Sequence, residues 1–272
     1  MYNSNAIAKR DARWPVLTCL LIILILALPS CITTTTGGFT SEASEQQAVQ
    51  DYIQLAVAYY DAGDMMRVRL NIENVLALDS ENSEVHGILA LVNQREGDID
   101  LANESFRRAI NFDDTNSRVR NNYAAFLFSQ NRFEEAFEQL QLVSSDTGYD
   151  GRSVAFENLG RSALRIGREE DAEQAFERAL QLNANLYLSA LELAQIRFNK
   201  QQLALAQTTY NRFLTNREYN SVPHTPRSLW VGIQIEREFQ NSETLDGYVR
   251  LLTTLYRDSP EHQLYRNLID GN

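Results

Sequence analysis

Between Val49 and Asn220 the chain repeats itself, and no other feature constrains its fold as much. Segments starting at Val49, Ser83, Ser117, Ser153 and Tyr187 align with spacings of 34, 34, 36 and 34 residues. A fixed period of this length marks a stack of small supersecondary units, not one globular core. Position 8 of each copy is Ala56, Ala90, Ala124, Gly160 and Ala194. Position 20 is Val68, Ala102, Ala136, Ala172 and Ala206, so only the first copy departs from a small residue there. Position 24 holds Ile72, Phe106, Leu140, Phe176 and Tyr210, and position 27 holds Val75, Ala109, Val143, Ala179 and Phe213. A helix breaker or polar turn residue falls near position 15, as Gly63, Gly97, Asn131, Gly167 and Gln201.

The pattern has a physical reading. Two helices of a hairpin approach closely only where small residues meet at their crossing, here positions 8 and 20, with larger residues filling the space beside it. Each hairpin leaves an apolar edge that the next one covers. The pattern closely resembles the tetratricopeptide repeat, best in "FENLGRSALRIGREEDAEQAFERALQLNAN", Phe156 to Asn185. That resemblance implies an all-α fold, a right-handed superhelix of about six helix–turn–helix repeats. The repeats fall near 49–82, 83–116, 117–150, 153–186 and 187–220, with an irregular sixth at 225–261. The proline usual at position 32 is missing from all five regular copies, where Ser80, Asp114, Gly148, Ala184 and Glu218 stand. In the sixth unit, "TPRSLWVGIQIEREF" (Thr225–Phe239) reads as the first helix and "LDGYVRLLTTLYRDSPE" (Leu245–Glu261) as the second, ending at Pro260 after a longer turn than in the earlier units. The connection from Thr215 to Thr225 also reads as long.

The start of the chain follows another logic. Lys9, Arg10 and Arg13 precede an apolar stretch from Val16 to Leu28 that Pro15 and Pro29 fence in. It is shorter than the roughly 20 residues a spanning helix needs, and a charged start before a short apolar run makes a secretory signal. Leu28-Pro29-Ser30-Cys31 resembles the lipobox of bacterial lipoproteins, although Pro29 departs from the usual residue at its position. Residues 1–30 are then a signal peptide cut between Ser30 and Cys31. Cys31 carries the lipid, residues 31–41 form a flexible tether, and 42–272 is the repeat domain. Cys19 leaves with the signal, so the mature chain has one acylated cysteine and no internal disulfide. By the same resemblance, Ile32 after the cysteine implies sorting to the outer membrane.

Composition narrows the partners. The whole chain carries 25 Lys+Arg against 36 Asp+Glu. Residues 1–30 hold three basic and one acidic residue, so the mature balance is 22 against 35, or −13. Phosphate binding needs clustered Lys and Arg, so nucleic acid is not an expected partner, and the same acidic balance argues against electrostatic docking on anionic lipid.

A lipobox, six such repeats and the late string "PRSLWVGIQIER" together resemble the PilF/PilW lipoproteins of type IV pilus biogenesis. The resemblance implies a pilotin, an outer-membrane lipoprotein facing the periplasm that helps the pilus secretin localise and multimerise. The alternative is a repeat lipoprotein serving another envelope machine, such as peptidoglycan enzymes or the outer-membrane protein insertion apparatus.

Enzyme chemistry finds no footing. His86, His224 and His262 are far apart, and none has a second ligand at metal-binding spacing. There is no phosphate loop and no G-x-S-x-G elbow. The acidic runs "FEEAFE" and "REEDAE" begin second helices, where they complement the helix dipole. Trp230 reads as a core anchor. No metal, cofactor or small-molecule substrate is expected.

A binding groove is expected. In repeats of this type, positions 2, 5, 9 and 12 of the first helix line the concave face. In the first copy Ile53, Val57 and Tyr60 stand at i, i+4 and i+7, one apolar stripe. Leu91, Phe128, Leu164, Leu191 and Phe198 follow along it, among Glu84, Arg118, Asn121 and Arg161. Such a stripe suits an amphipathic helix or an extended client segment. It could equally be covered by Glu42 to Ala48 or by the tail after Pro260, or complete the superhelix packing.

Overall fold

The computed structural model describes residues 41–271. The expected signal peptide, its expected Ser30–Cys31 cleavage site and all but the last residue of the expected tether lie outside the described residues. The chain divides between Glu45 and Gln46 into two units. The first contributes only the opening of one helix to the described residues, and the second holds everything discussed below.

Among the described residues there are thirteen helices and no strand. They are α1 (Ser41–Ala62), α2 (Met65–Leu78), α3 (Ser83–Glu96), α4 (Ile99–Phe112), α5 (Ser117–Ser129), α6 (Phe133–Ser145) and α7 (Arg152–Arg165). Then come α8 (Glu169–Leu182), α9 (Tyr187–Asn199), α10 (Leu203–Tyr219), α11 (Pro226–Glu238), α12 (Ser242–Leu255) and α13 (Pro260–Asp270). Odd and even helices up to α12 pair as hairpins, and each even helix packs on the next hairpin.

The repeat positions do what their sizes require. Ala56, Ala90, Ala124 and Ala194 at position 8, and all five residues at position 20, are fully buried. Where position 8 is Gly160, a β-carbon would come within 2.7 Å of the Phe176 ring. The large residue at position 24 thus takes the space that the missing side chain leaves. Position 15 carries the hairpin turn in the left-handed region, with φ of 78° at Gly63, 91° at Gly97, 60° at Asn131, 75° at Gly167 and 60° at Gln201.

The absent prolines are replaced by another device. Asp79, Asp113, Asp146 and Asn183 end the second helices, each in an extended conformation. The side chain of each accepts a hydrogen bond from the backbone N–H two residues on, at 3.3, 2.9, 2.9 and 3.0 Å. These Asx turns redirect the chain as a proline would. Asn82 and Asn116 then cap α3 and α5 by accepting from Val85 N and Val119 N.

The last unit differs from its expected outline. Its second helix is α12, which begins at Ser242 and stops at Leu255. The turn before it, Phe239 to Asn241, is no longer than those after α5, α7 and α9. Gln240 takes a left-handed φ of 54° there, so a tight turn forms without glycine. Pro260 does not end this helix. It opens α13 at the first helical turn, where its missing N–H costs nothing, behind the Ser259 cap. α13 packs against α11 and α12. The Thr215–Thr225 connection is shorter than expected, because α10 runs on to Tyr219.

Candidate protein-binding groove

The first helices of successive repeats, α1, α3, α5, α7 and α9, lie side by side. Position 5 of each sits on the seam with the next. Ile53 is 4 % exposed and clusters with Val49, Ala56, Val85 and Ile88. It is therefore core, and the expectation that it lines the groove is corrected. Later copies behave alike. Leu191 is buried. The buried Glu157 accepts hydrogen bonds from Ser189 N at 3.0 Å and Ser189 Oγ at 2.7 Å, across to the following repeat. Asn121 accepts from Asn158 Nδ2 at 3.4 Å. Reading α1 as an isolated helix put Ile53 in the stripe; the neighbouring helix covers it.

Val57, Tyr60 and Leu91 do come together. They line a depression of about 190 Å³ with Ile88, Val119 and Gly87, rimmed by Asp61, Glu84, Arg118 and Asn122. Val57 is 38 % exposed. The sequence signal for this depression is Gly87, which occupies position 5 where the other copies carry Ile53, Asn121, Glu157 and Leu191. Its missing side chain lets Val119 in: a β-carbon there would meet the Val119 methyl at 2.8 Å. Arg118 Nη1 donates to Glu84 Oε1 at 3.0 Å on the rim. Arg95 lies over the Tyr60 ring at 5.2 Å and donates to the Tyr60 carbonyl at 2.9 Å, fixing that ring beside the depression. The lining can hold one medium-sized apolar side chain, with a carboxylate–guanidinium pair beside it.

Phe128 lies elsewhere. It lines a separate crevice of about 230 Å³ with Ala124, Ala125, Leu140, Asn158 and Arg161. Its ring lies under Arg161 at 4.8 Å and meets the Phe133 edge at 5.0 Å. Val57, Tyr60 and Leu91 thus line one depression and Phe128 another, rather than one continuous stripe.

The histidines are all engaged in structure. His86 is buried beside Phe112, with its ring centroid 5.1 Å away. His224 packs near Phe213 and Tyr248, and its Nδ1 lies 3.1 Å from Ser228 Oγ. Burial, helped by the Arg217 charge, lowers its pKa to about 4. His262 Nδ1 lies 2.7 Å from the Arg257 carbonyl. Among the described residues no group of His, Cys, Asp or Glu could hold a metal ion. None of the described helices is long and apolar enough to cross a membrane.

Comparison with known proteins decides the family. The tetratricopeptide repeat model matches residues 154–186. The type IV pilus assembly protein PilF of Pseudomonas aeruginosa is 33 % identical over 248 residues, which cover 91 % of this chain and 96 % of that protein. The chain belongs to the PilF/PilW family of type IV pilus biogenesis proteins. The solved structure of Pseudomonas aeruginosa PilF matches with a TM-score of 0.76 and 34 % identity, over 82 % of this chain and 98 % of that one. The crystal structure of PilW, a type IV pilus biogenesis factor, matches with a TM-score of 0.65 over 80 % and 98 %. At 24 % identity, PilW speaks for the fold alone.

The string that carried the family resemblance has a structural role. In α11, Leu229, Val231, Ile233 and Ile235 are all buried, so the helix is covered on nearly every side. A β-carbon on Gly232 would collide with Tyr210 Oη and meet Tyr248 at 2.8 Å. Tyr210 Oη donates to the Ser228 carbonyl at 2.8 Å. Thr225 and Ser228 form a capping box, and the buried Glu236 accepts from Asn241. Trp230 is half-buried against the core. The string locks the last unit of a PilF/PilW protein onto the fifth repeat.

Proposed function

We propose that this protein is a pilotin, a lipid-anchored assembly factor that brings the type IV pilus secretin to the outer membrane and promotes its multimerisation. The observation that carries this reading is the 33 % identity over 91 % of the chain with a type IV pilus assembly protein. The depression around Val57, Tyr60 and Leu91 supports it, because a groove with an apolar floor and a charged rim is suited to hold an amphipathic client segment. The lipobox-like Leu28-Pro29-Ser30-Cys31 supports anchoring through Cys31, facing the periplasm.

Deletion of the gene tests the client. Unheated membranes from the deletion strain, blotted for secretin, are expected to lose the high-mass multimers while pilin is still made. Normal multimers there would refute the pilotin reading. Mass spectrometry of the mature N-terminus tests the anchor, and an unmodified Cys31 would remove it.

A further inference from the structure

The crevice beside Phe128 holds polar groups that nothing in the chain satisfies. Ser162 on α7 lines it and is fully buried. Its hydroxyl has no hydrogen-bond partner among the described residues. A hydroxyl within a helix can donate to the carbonyl one turn back, as Thr208, Thr209, Thr215 and Thr253 do at 2.6 to 3.1 Å. Ser162 makes no such bond. Buried polar groups without a partner are rare because each one costs stability, so an acceptor from outside the chain fits this position.

Two guanidiniums stand over the same crevice. Arg161 lies 4.8 Å from the Phe128 ring centroid. Arg165 lies 4.0 Å from the Phe133 centroid and 5.8 Å from that of Phe128. The rings hold the guanidinium planes and leave their N–H edges free. Among the described residues neither arginine has a carboxylate within ion-pair reach. Arg118, Arg197 and Arg227, on the first helices of other repeats, each hold one. The one carboxylate on α7, Glu157, is occupied by Ser189 across the next seam. An unpartnered hydroxyl and two uncompensated guanidiniums are all donors, and together they call for an anionic acceptor.

The crevice and the depression around Val57 share one face of α5. Arg118 and Asn122 line the depression, and Ala125 and Ser129 line the crevice. These four stand at i, i+4, i+7 and i+11, a single helical stripe. From Arg118 to Ser129 the helix rises about 16 Å, a distance that about five extended residues span. One extended peptide segment reaches both hollows, whereas a free small anion fills only one. We propose that the crevice receives an aspartate or glutamate side chain from an extended segment of a protein partner. Its carboxylate sits on Arg161 and the Ser162 hydroxyl, and its methylenes lie against Phe128 and Leu140. An apolar residue about five positions away fills the depression. That the partner is the secretin rests on the function proposed above; the recognition chemistry does not.

A random dodecapeptide library displayed on phage is panned on the full-length protein in detergent, after depletion on the Arg161→Gln protein. Selected sequences are expected to carry Asp or Glu about five positions from an apolar residue. In synthetic copies, replacing that acid by its amide should weaken binding about tenfold. Arg161→Gln should cost the acidic peptide the same factor and leave the amide peptide unchanged, a coupling that a merely structural arginine would not give. Ser162→Ala removes only the unpartnered hydroxyl and should weaken the acidic peptide about fivefold. An empty selection, selected sequences without an acidic position, or acidic ones that bind both variants as tightly as the parent would each overturn the proposal. Normal secretin multimers in the deletion strain together with the coupling would remove the secretin and leave the crevice a carboxylate site. Lost multimers without the coupling would remove the crevice and leave the pilotin reading standing.

Discussion

Val57→Glu separates binding from folding. Val57 is 38 % exposed, so a docking client covers only that remaining share of its surface. Full burial of such a side chain contributes about 1.5–3 kcal/mol, and the remaining share contributes about 1 kcal/mol. The new carboxylate adds more. It would stand in a depression already rimmed by Asp61 and Glu84, with Arg118 engaged by Glu84. Leaving it desolvated and unpaired under a client costs about 1–3 kcal/mol. The sum is about 2–4 kcal/mol, or roughly 30- to 1,000-fold in client affinity. Stability should move by no more than about 0.5 kcal/mol, because the site is on the surface and Glu is at least as good a helix former as Val. Ile53→Glu, one turn earlier, makes the contrast: it buries a charge in the core and should unfold the first repeat. The assay is the secretin multimer blot beside a melting curve. Parent-level multimers with Val57→Glu would show that this depression is not the client site. Loss of both multimers and melting temperature would show that Val57 is structural.

Three further outcomes follow from the packing. Gln201→Gly should stabilise the protein by about 1 kcal/mol, since Gln201 holds φ of 60° where glycine is unstrained; thermal melts check it, and no gain would mean that its side chain contributes a compensating contact. Gly232→Ala should destabilise by about 1–3 kcal/mol, because its β-carbon would displace Tyr210 from the Ser228 carbonyl; urea titration reads the loss. His224 is neutral in the folded protein, its pKa lowered by burial to about 4 from 6.5. The unfolded chain therefore binds the extra proton first, and stability, full above 6.5, is lost as pH falls towards 4. Allowing for partial solvent screening, the loss is about 1–2 kcal/mol, and His224→Asn should flatten the slope of stability between pH 6.5 and 5, above the carboxylate range.

What the sequence revealed depended on whether a position answers to its own hairpin or to a neighbour. Positions 8, 20, 24 and 27 answer to their own hairpin, so size alone identified them, and all are buried at the crossings. Position 15 answers only to the turn, and Asn131 and Gln201 could be placed there without being glycine. Position 5 answers to the next repeat, so the pattern within one hairpin sends Ile53 to the groove and gives no weight to Gly87, whose missing side chain admits Val119 to the lining of the depression. Prolines gave mixed guidance. Their absence at position 32 hid the Asx turns at Asp79, Asp113, Asp146 and Asn183. Pro260 reads in the sequence as a stop but starts α13, because the same missing N–H suits both roles. The start of α12 at Ser242 is not legible in the sequence, since Gln240 carries a left-handed turn that no glycine marks.

The first helix of the repeat array faces three environments at once. On α1, Val49, Ile53 and Ala56 face α2 and α3 and are buried. Val57 and Tyr60 face the concave depression. Leu55, one residue before the core alanine and two before Val57, faces the outer edge with Tyr59 beneath Arg67. A helix turns about 100° per residue, so these neighbours in sequence point in three directions. Substitutions along α1 should therefore fall into three separable classes. Polar changes at Ile53 or Ala56 should lower the melting temperature and every activity with it. Val57→Glu should spare the melt and lose secretin multimers. Leu55→Glu should spare both the melt and client binding in solution, because the side chain is on the surface and outside the depression. A Leu55→Glu protein that binds client in solution less well than the parent would mean that the edge and the groove are a single surface, and that the three-way division of this helix is wrong.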